Sequence, residues 1–68
     1  MEISARNQFK GTVKSIVTGG VMAEVTLDIG NSQEIVSVIT KASAERMGLA
    51  QGVQVTALIK SSEVLLAR

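Results

Sequence analysis

Nine residues, Val21 to Ile29, repeat with a period of two: Val21, Ala23, Val25, Leu27 and Ile29 fall on one face, and Met22, Glu24, Thr26 and Asp28 on the other. That period is the signature of a β-strand with one face in a core. Gly19-Gly20 before it and Gly30-Asn31-Ser32 after it supply the turns. The preceding segment, Phe9 to Thr18, shares the pattern, with Phe9, Gly11, Val13, Ser15 and Val17 on one face. The two segments predict an antiparallel hairpin. Gly11, inside the first strand, predicts the bulge or bend by which a small barrel turns a corner.

The rest of the chain extends this reading. Glu34 to Ile39 is a β-branched run with apolar residues on both faces, so it expects cover on both sides. Thr40 then reads as a helix N-cap, followed by helix formers up to Gly48, which suits the left-handed position after a helix end. Ala44 and Met47 are expected to plug one end of the barrel, with Leu49 making the contact that accompanies such a cap. Val53 to Lys60 alternates again, and Glu63 to Leu66 reads as a last short strand. The order strand, strand, strand, helix, strand, strand predicts a mainly β fold: a small five-stranded, OB-fold-like barrel with one short helix between strands three and four, formed by residues 1–68 as one domain.

Such a domain is difficult to stabilise alone. A core of 68 residues rarely supplies more than about 3–5 kcal/mol. With no Cys and no His, neither a disulfide nor a structural zinc of the usual kind adds to it. Yet 46% of the residues are hydrophobic, carried almost wholly by aliphatic side chains, since Phe9 is the only aromatic. Association between copies is the expected remedy. The formal charge of +1 gives no field that would gather nucleic acid or a membrane surface. No apolar run approaches the ~20 residues of a spanning helix, and the polar N-terminal segment lacks the core of a secretory signal, which predicts a soluble cytoplasmic protein.

Three polar clusters lie at element ends: Ser4, Arg6 and Asn7 before the first strand, Thr40 at the helix start, and Lys60 with Ser61 between the last strands. Arg6 offers a planar fork of donors that never deprotonates, and Ser4 and Asn7 add neutral donors beside it. Thr40 with the amides of Lys41 to Ser43 has the makings of an oxyanion cradle, although ordinary capping is the favoured explanation for a Thr there taken alone. Lys60 alone reads as a solvated strand end.

Taken together, Ser4-Ala5-Arg6-Asn7-Gln8, Val38 to Ser43 with Gly48-Leu49, and Val55 to Ser61 resemble the three signature segments of the molbindins, the free-standing Mop domains that bind molybdate and tungstate. The resemblance runs from Ser4 to Leu66. It implies an OB-like fold assembled as a homohexamer, a trimer of dimers, with oxyanions held at subunit interfaces for intracellular storage and homeostasis of molybdenum or tungsten. Carried over by position, it implies that Ser4, Arg6, Lys60 and the backbone N–H around Ser61 bind the ion from one subunit, and Thr40 from its partner; Asn7 is counted with them as a neutral donor beside Arg6. It also implies a second class of oxyanion site near a threefold axis, for which Lys41 and Ser43, or alternatively Gly20 in the Gly19-Gly20 turn, are the candidates.

The residue types suit the ligand. Molybdate is a tetrahedral dianion that accepts hydrogen bonds and offers none, so Arg, Lys, hydroxyls and amides without a nearby carboxylate complement it. Without His, Cys or paired carboxylates near these segments there is no catalytic constellation, and no organic cofactor is expected. Two other functions compete. An OB-fold nucleic-acid binder would need stacking aromatics and a basic groove, which one Phe and a charge of +1 do not provide. A purely structural oligomerisation domain would leave Arg6 and Lys60 without a task.

Overall fold

In the computed structural model, which describes residues 2–68, one antiparallel sheet runs in the order β3-β2-β1-β4, with β1 Asn7–Thr18, β2 Met22–Gly30, β3 Gln33–Thr40 and β4 Gln54–Ile59. Helix α1, Lys41–Arg46, lies between β3 and β4, and a single 3₁₀ turn, Ser61–Glu63, follows β4. The sheet curls into a half-barrel whose inner face holds Val13, Val25 and Leu27, packed against Ile16, Ile29, Ile39, Leu49, Val53, Val55 and Ala57. The predicted alternation therefore stands for β2 from Ala23 onward and for β4.

β1 is the element on which the sheet turns. Its first half pairs with β4, from Asn7↔Ile59 to Thr12↔Gln54, and its second half with β2, from Thr12↔Asp28 to Thr18↔Ala23. Between the two halves the strand must bend. Gly11 sits where a Cβ would meet the Asp28 carbonyl oxygen at 3.0 Å and Ile29 Cγ2 at 3.1 Å, so a side chain there would hold the strands apart. The bulge itself lies three positions further on, between Val13 and Ser15, with Lys14 as the extra residue. This corrects the expected inward face of β1: after the bulge the phase reverses, so Ile16 packs on the core while Val17 is exposed. Lys14 itself reaches over β2 to form an ion pair with Glu34 of β3, and that hydrogen bond and charge hold its ammonium above the usual lysine range.

Local chemistry closes the other turns. Asn31 and Ser32 both take positive φ, 54° and 59°, between the paired residues Gly30 and Gln33, which is the two-residue hairpin geometry that follows the sheet's own twist. The Asp28 carboxylate accepts from the Gly30 amide at 2.8 Å and steadies the approach. Thr40 caps α1 as expected, its hydroxyl accepting from the Ser43 amide at 3.1 Å. At the other end Leu49 N–H donates to Ala44 O and Gly48 N–H to Glu45 O, both at 3.0 Å, with Gly48 at φ 65°. That pair of bonds is a Schellman cap, and its apolar contact comes from Leu49.

Three expectations need correction. The sheet has four strands, not five: Glu63 to Leu66 forms no strand, because the 3₁₀ turn, closed by Glu63 N–H to Lys60 O at 2.9 Å, carries the chain off the sheet. Val64 is extended, with φ −89° and ψ 118°, the residues after it join no strand among the described residues, and Leu65 and Leu66 are 94% and 93% exposed. Met47 does not plug the barrel, since a helix of six residues buries only Ala44 before the cap turns the chain, and Leu49 takes the inward place. Val21 precedes the first rung of β2 and is exposed. The outward side chains of β3, Val36 and Val38, are likewise open, at 56% and 62%.

Gly11→Ala tests the bend. A methyl group pressed against a backbone carbonyl requires the strands to shift, so a destabilisation of about 1–3 kcal/mol is expected in urea unfolding. Unchanged stability would show that the two halves of β1 do not need that close approach.

Candidate oxyanion site

The register of β1 with β4 brings together two of the three polar clusters. Asn7 pairs with Ile59, so the next residues along, Arg6 and Lys60, emerge side by side at the same end of the sheet. The Asn7 carboxamide strengthens this junction, Nδ2 donating to Ile59 O at 3.1 Å and, at a longer 3.5 Å, to Ser61 Oγ. One residue on, Gln8 Nε2 donates back to Ala5 O at 2.8 Å and closes the lead-in loop. Ser4, Arg6, Lys60 and Ser61 are exposed around this junction. Among the described residues, the side chains of Ser4, Arg6 and Lys60 have neither a hydrogen-bond nor an ion-pair partner. Two cations therefore stand at this junction with unspent donors beside the Ser61 hydroxyl, and like charges so placed favour an anion between them.

Thr40 is elsewhere. It pairs with Met22 at the far end of β3, level with the C-terminal end of β1 where Thr18 meets Ala23. The twelve residues of β1 separate that end from Asn7, a contour of roughly 35 Å at ~3.3 Å per residue. Within one chain Thr40 cannot share an ion with Arg6. Its hydroxyl is also occupied, accepting from the Ser43 amide and donating to Ser43 Oγ at 2.7 Å. Of the three amides of the expected cradle, Lys41 N–H goes to Val21 O at 2.7 Å and Ser43 N–H to Thr40, which leaves that of Ala42.

The residues considered for a second site do adjoin one another. The Lys41 bond to Val21 ties the helix start to the turn that contains Gly20, and the turn is closed by Gly19 N–H to Met22 O at 2.8 Å. Gly20 has open space around it, with no heavy atom within 4 Å of where a Cβ would stand. Arg46, which sequence reasoning passed over, completes this patch: its Nη2 donates to Ser43 Oγ at 3.3 Å. Its spacing of three from Ser43 on a helix was the available signal.

One concavity of about 570 Å³ is lined by Lys10, Thr12, Asp28, Gln54 and Thr56 among others, and holds none of these candidates. An anion there would face the Asp28 carboxylate, so the chemistry favours the junction at Asn7 over this groove.

A family model described as the TOBE domain matches residues 3–66. The chain belongs to the TOBE-domain family. Over 66 residues this TOBE domain is 44% identical to molybdenum-pterin-binding protein 1 of Clostridium pasteurianum, covering 97% of each chain. It is 53% identical to the molybdenum transport protein ModE of Azotobacter vinelandii, where the match takes 97% of this chain but only 24% of that protein. Its fold superposes on a molybdate binding protein from Sporomusa ovata with a TM-score of 0.92 at 41% identity, covering the whole of both chains. A TM-score of 0.92 at 46% identity also relates it to the cytoplasmic molybdate-binding protein ModG with molybdate bound, across 96% of this chain and 46% of that one. The OB-like half-barrel with its helix between β3 and β4 is thus the fold of this family.

Thr40 separates capping from other roles by substitution. Thr40→Ala should cost about 1 kcal/mol of stability through loss of the cap, whereas Thr40→Asp, itself a good N-cap, should leave the thermal midpoint close to that of the parent. Equal losses in the two variants would show that the cap is not what Thr40 contributes to folding.

Proposed function

We propose that this TOBE domain, taken as a single domain over residues 1–68, binds molybdate and tungstate in the cytoplasm as a homohexamer, a trimer of dimers, and serves storage and homeostasis of the metal rather than catalysis. The observation that carries the reading is the β1–β4 register, which sets Arg6 and Lys60 next to the Asn7–Ile59 pair, with Ser61 bonded to Asn7, at one end of the sheet and leaves Thr40 at the other. For both clusters to hold one ion, Thr40 must come from a second chain. The names of the relatives support the ligand class, and the donor set suits a dianion that accepts hydrogen bonds only. The bound oxyanion is the only ligand the reading requires; organic cofactor, nucleic acid and membrane have no part in it.

The surface supports assembly. Val36 and Val38 on the outer face of β3, Leu65 and Leu66 beyond the 3₁₀ turn, and the outer edges of β3 and β4 are apolar or hydrogen-bonding surfaces that a second copy would cover. Under this reading Asn7 belongs to the site region with the other candidates, and the Gly20, Lys41 and Ser43 patch is the place for a second class of oxyanion site, with Arg46 as an added donor. Tungstate enters with molybdate because two tetrahedral dianions of nearly the same size present the same acceptors to the same donors.

Titration calorimetry tests the assignment. A hydrogen bond to a charged group is worth ~1.5–3 kcal/mol, so Arg6→Ala and Lys60→Ala should each weaken molybdate binding by roughly 10- to 100-fold in protein that still sediments as a hexamer. Wild-type affinity in both variants would remove these residues from the site. A parent chain that sediments as a folded monomer at micromolar concentration would overturn the shared-site reading.

A further inference from the structure

We propose that Asn7 is the positioning residue of this anion site and not one of its ligands. The inference rests on the reading above that Arg6, Lys60 and Ser61 hold the ion, and it assigns the carboxamide in their midst a different task. A carboxamide has two N–H donors and one carbonyl acceptor. Both contacts of Asn7 Nδ2 are internal, to Ile59 O at 3.1 Å and Ser61 Oγ at 3.5 Å. What remains is Oδ1, an acceptor, which has nothing to offer an oxyanion that only accepts. Asn7 is also half-buried, while Ser4, Arg6, Lys60 and Ser61 around it are exposed.

What Asn7 does is hold a corner. Ile59 is the last residue of β4, and directly after it the chain leaves the sheet into the 3₁₀ turn, whose N-cap residue Lys60 makes no capping bond with its own side chain. The Asn7 carboxamide ties that exit to β1 and so fixes the backbone from which Lys60 and Ser61 project. By donating to Ser61 Oγ it also occupies a lone pair of the hydroxyl, which leaves the O–H proton for an acceptor on another side. Gln8 does for the incoming chain what Asn7 does for the outgoing one, its bond to Ala5 O closing the loop in which Arg6 stands. In the run Ser4-Ala5-Arg6-Asn7-Gln8, hydroxyl and guanidinium thus face outward while the two carboxamides are spent on the backbone. Long cationic side chains lose freedom on binding, and a fixed backbone beneath them lowers what must still be ordered when the ion arrives.

The test uses the full chain. Nitrogen-resolved NMR of the wild-type protein should show the Asn7 carboxamide protons already hydrogen-bonded without ligand and nearly unmoved on adding molybdate, while the Arg6 side-chain signals shift strongly. In calorimetry, Asn7→Ala should weaken molybdate binding roughly tenfold, about the effect of one misplaced hydrogen bond. The loss in Asn7→Ala/Ser61→Ala should fall short of the two single losses combined, because Asn7 acts in part through Ser61. A strong ligand-induced shift of the Asn7 carboxamide would make it a ligand, and wild-type affinity in Asn7→Ala would deny it any role; either overturns the proposal while the site stands. If instead Arg6→Ala binds as the parent does and the Arg6 signals do not move, the site reading itself fails, and the positioning role falls with it.

Discussion

Everything in this small fold depends on one strand serving two neighbours. β1 must pair with β4 along its first half and with β2 along its second, and no flat strand does both while enclosing a core. The absent side chain at Gly11 and the extra residue at Lys14 are the two local answers, one permitting close approach and the other reversing the phase. The same arrangement places the two termini of the sheet's pairing at opposite ends of β1. Arg6 and Lys60 become neighbours across the Asn7–Ile59 rung although more than fifty residues lie between them in the chain, and Thr40 is carried to the far end.

Much of this was legible in residue order, and the parts that were not share a cause. The period of two in Ala23 to Ile29 and in Val53 to Ile59 depends only on which face meets the core, so it could be read directly. The Thr40 cap and the Gly48 cap are written in neighbouring residues and are found as expected. The bulge at Lys14 leaves no local mark: Val17 is as apolar as Ile16, and only the pairing with Val25 and Glu24 decides which of them turns inward. The missing fifth strand has a similar origin. Glu63 to Leu66 has the composition of a strand, but a strand also needs an edge to pair with, and within one chain the turn at Ser61–Glu63 leads it away from both. For the candidate site, the cationic candidates could be named from their segments, whereas the bond of the Asn7 carboxamide to Ile59 O appears only once the register sets the two together.

The thinness of the core and the nature of the site are connected. Among the described apolar residues only Val13, Ala23, Val25, Leu27 and Ala44 are buried, while Val36, Val38, Leu65 and Leu66 remain open. A chain that leaves this much aliphatic surface to water gains by association, and in the proposed assembly association would also bring a Thr40 to an Arg6. In the empty assembly Arg6 and Lys60 would repel each other across a surface that is losing its water. A dianion removes that repulsion and adds charge-assisted bonds, so ligand and assembly should stabilise one another by mass action.

The central claim is that one oxyanion is held by two chains, and mixing two defective chains tests it most directly. Arg6→Glu spoils the cationic half of the site, and Thr40→Asp keeps the helix cap while setting a carboxylate in the other half. Each variant alone should bind molybdate poorly. Unfolded together and refolded as mixed assemblies, they should regain a population of high-affinity sites, each formed from the intact half of either chain. Mixed assemblies that bind no more tightly than the two variants alone would contradict the account, because a site contained within one chain cannot be repaired by its neighbour.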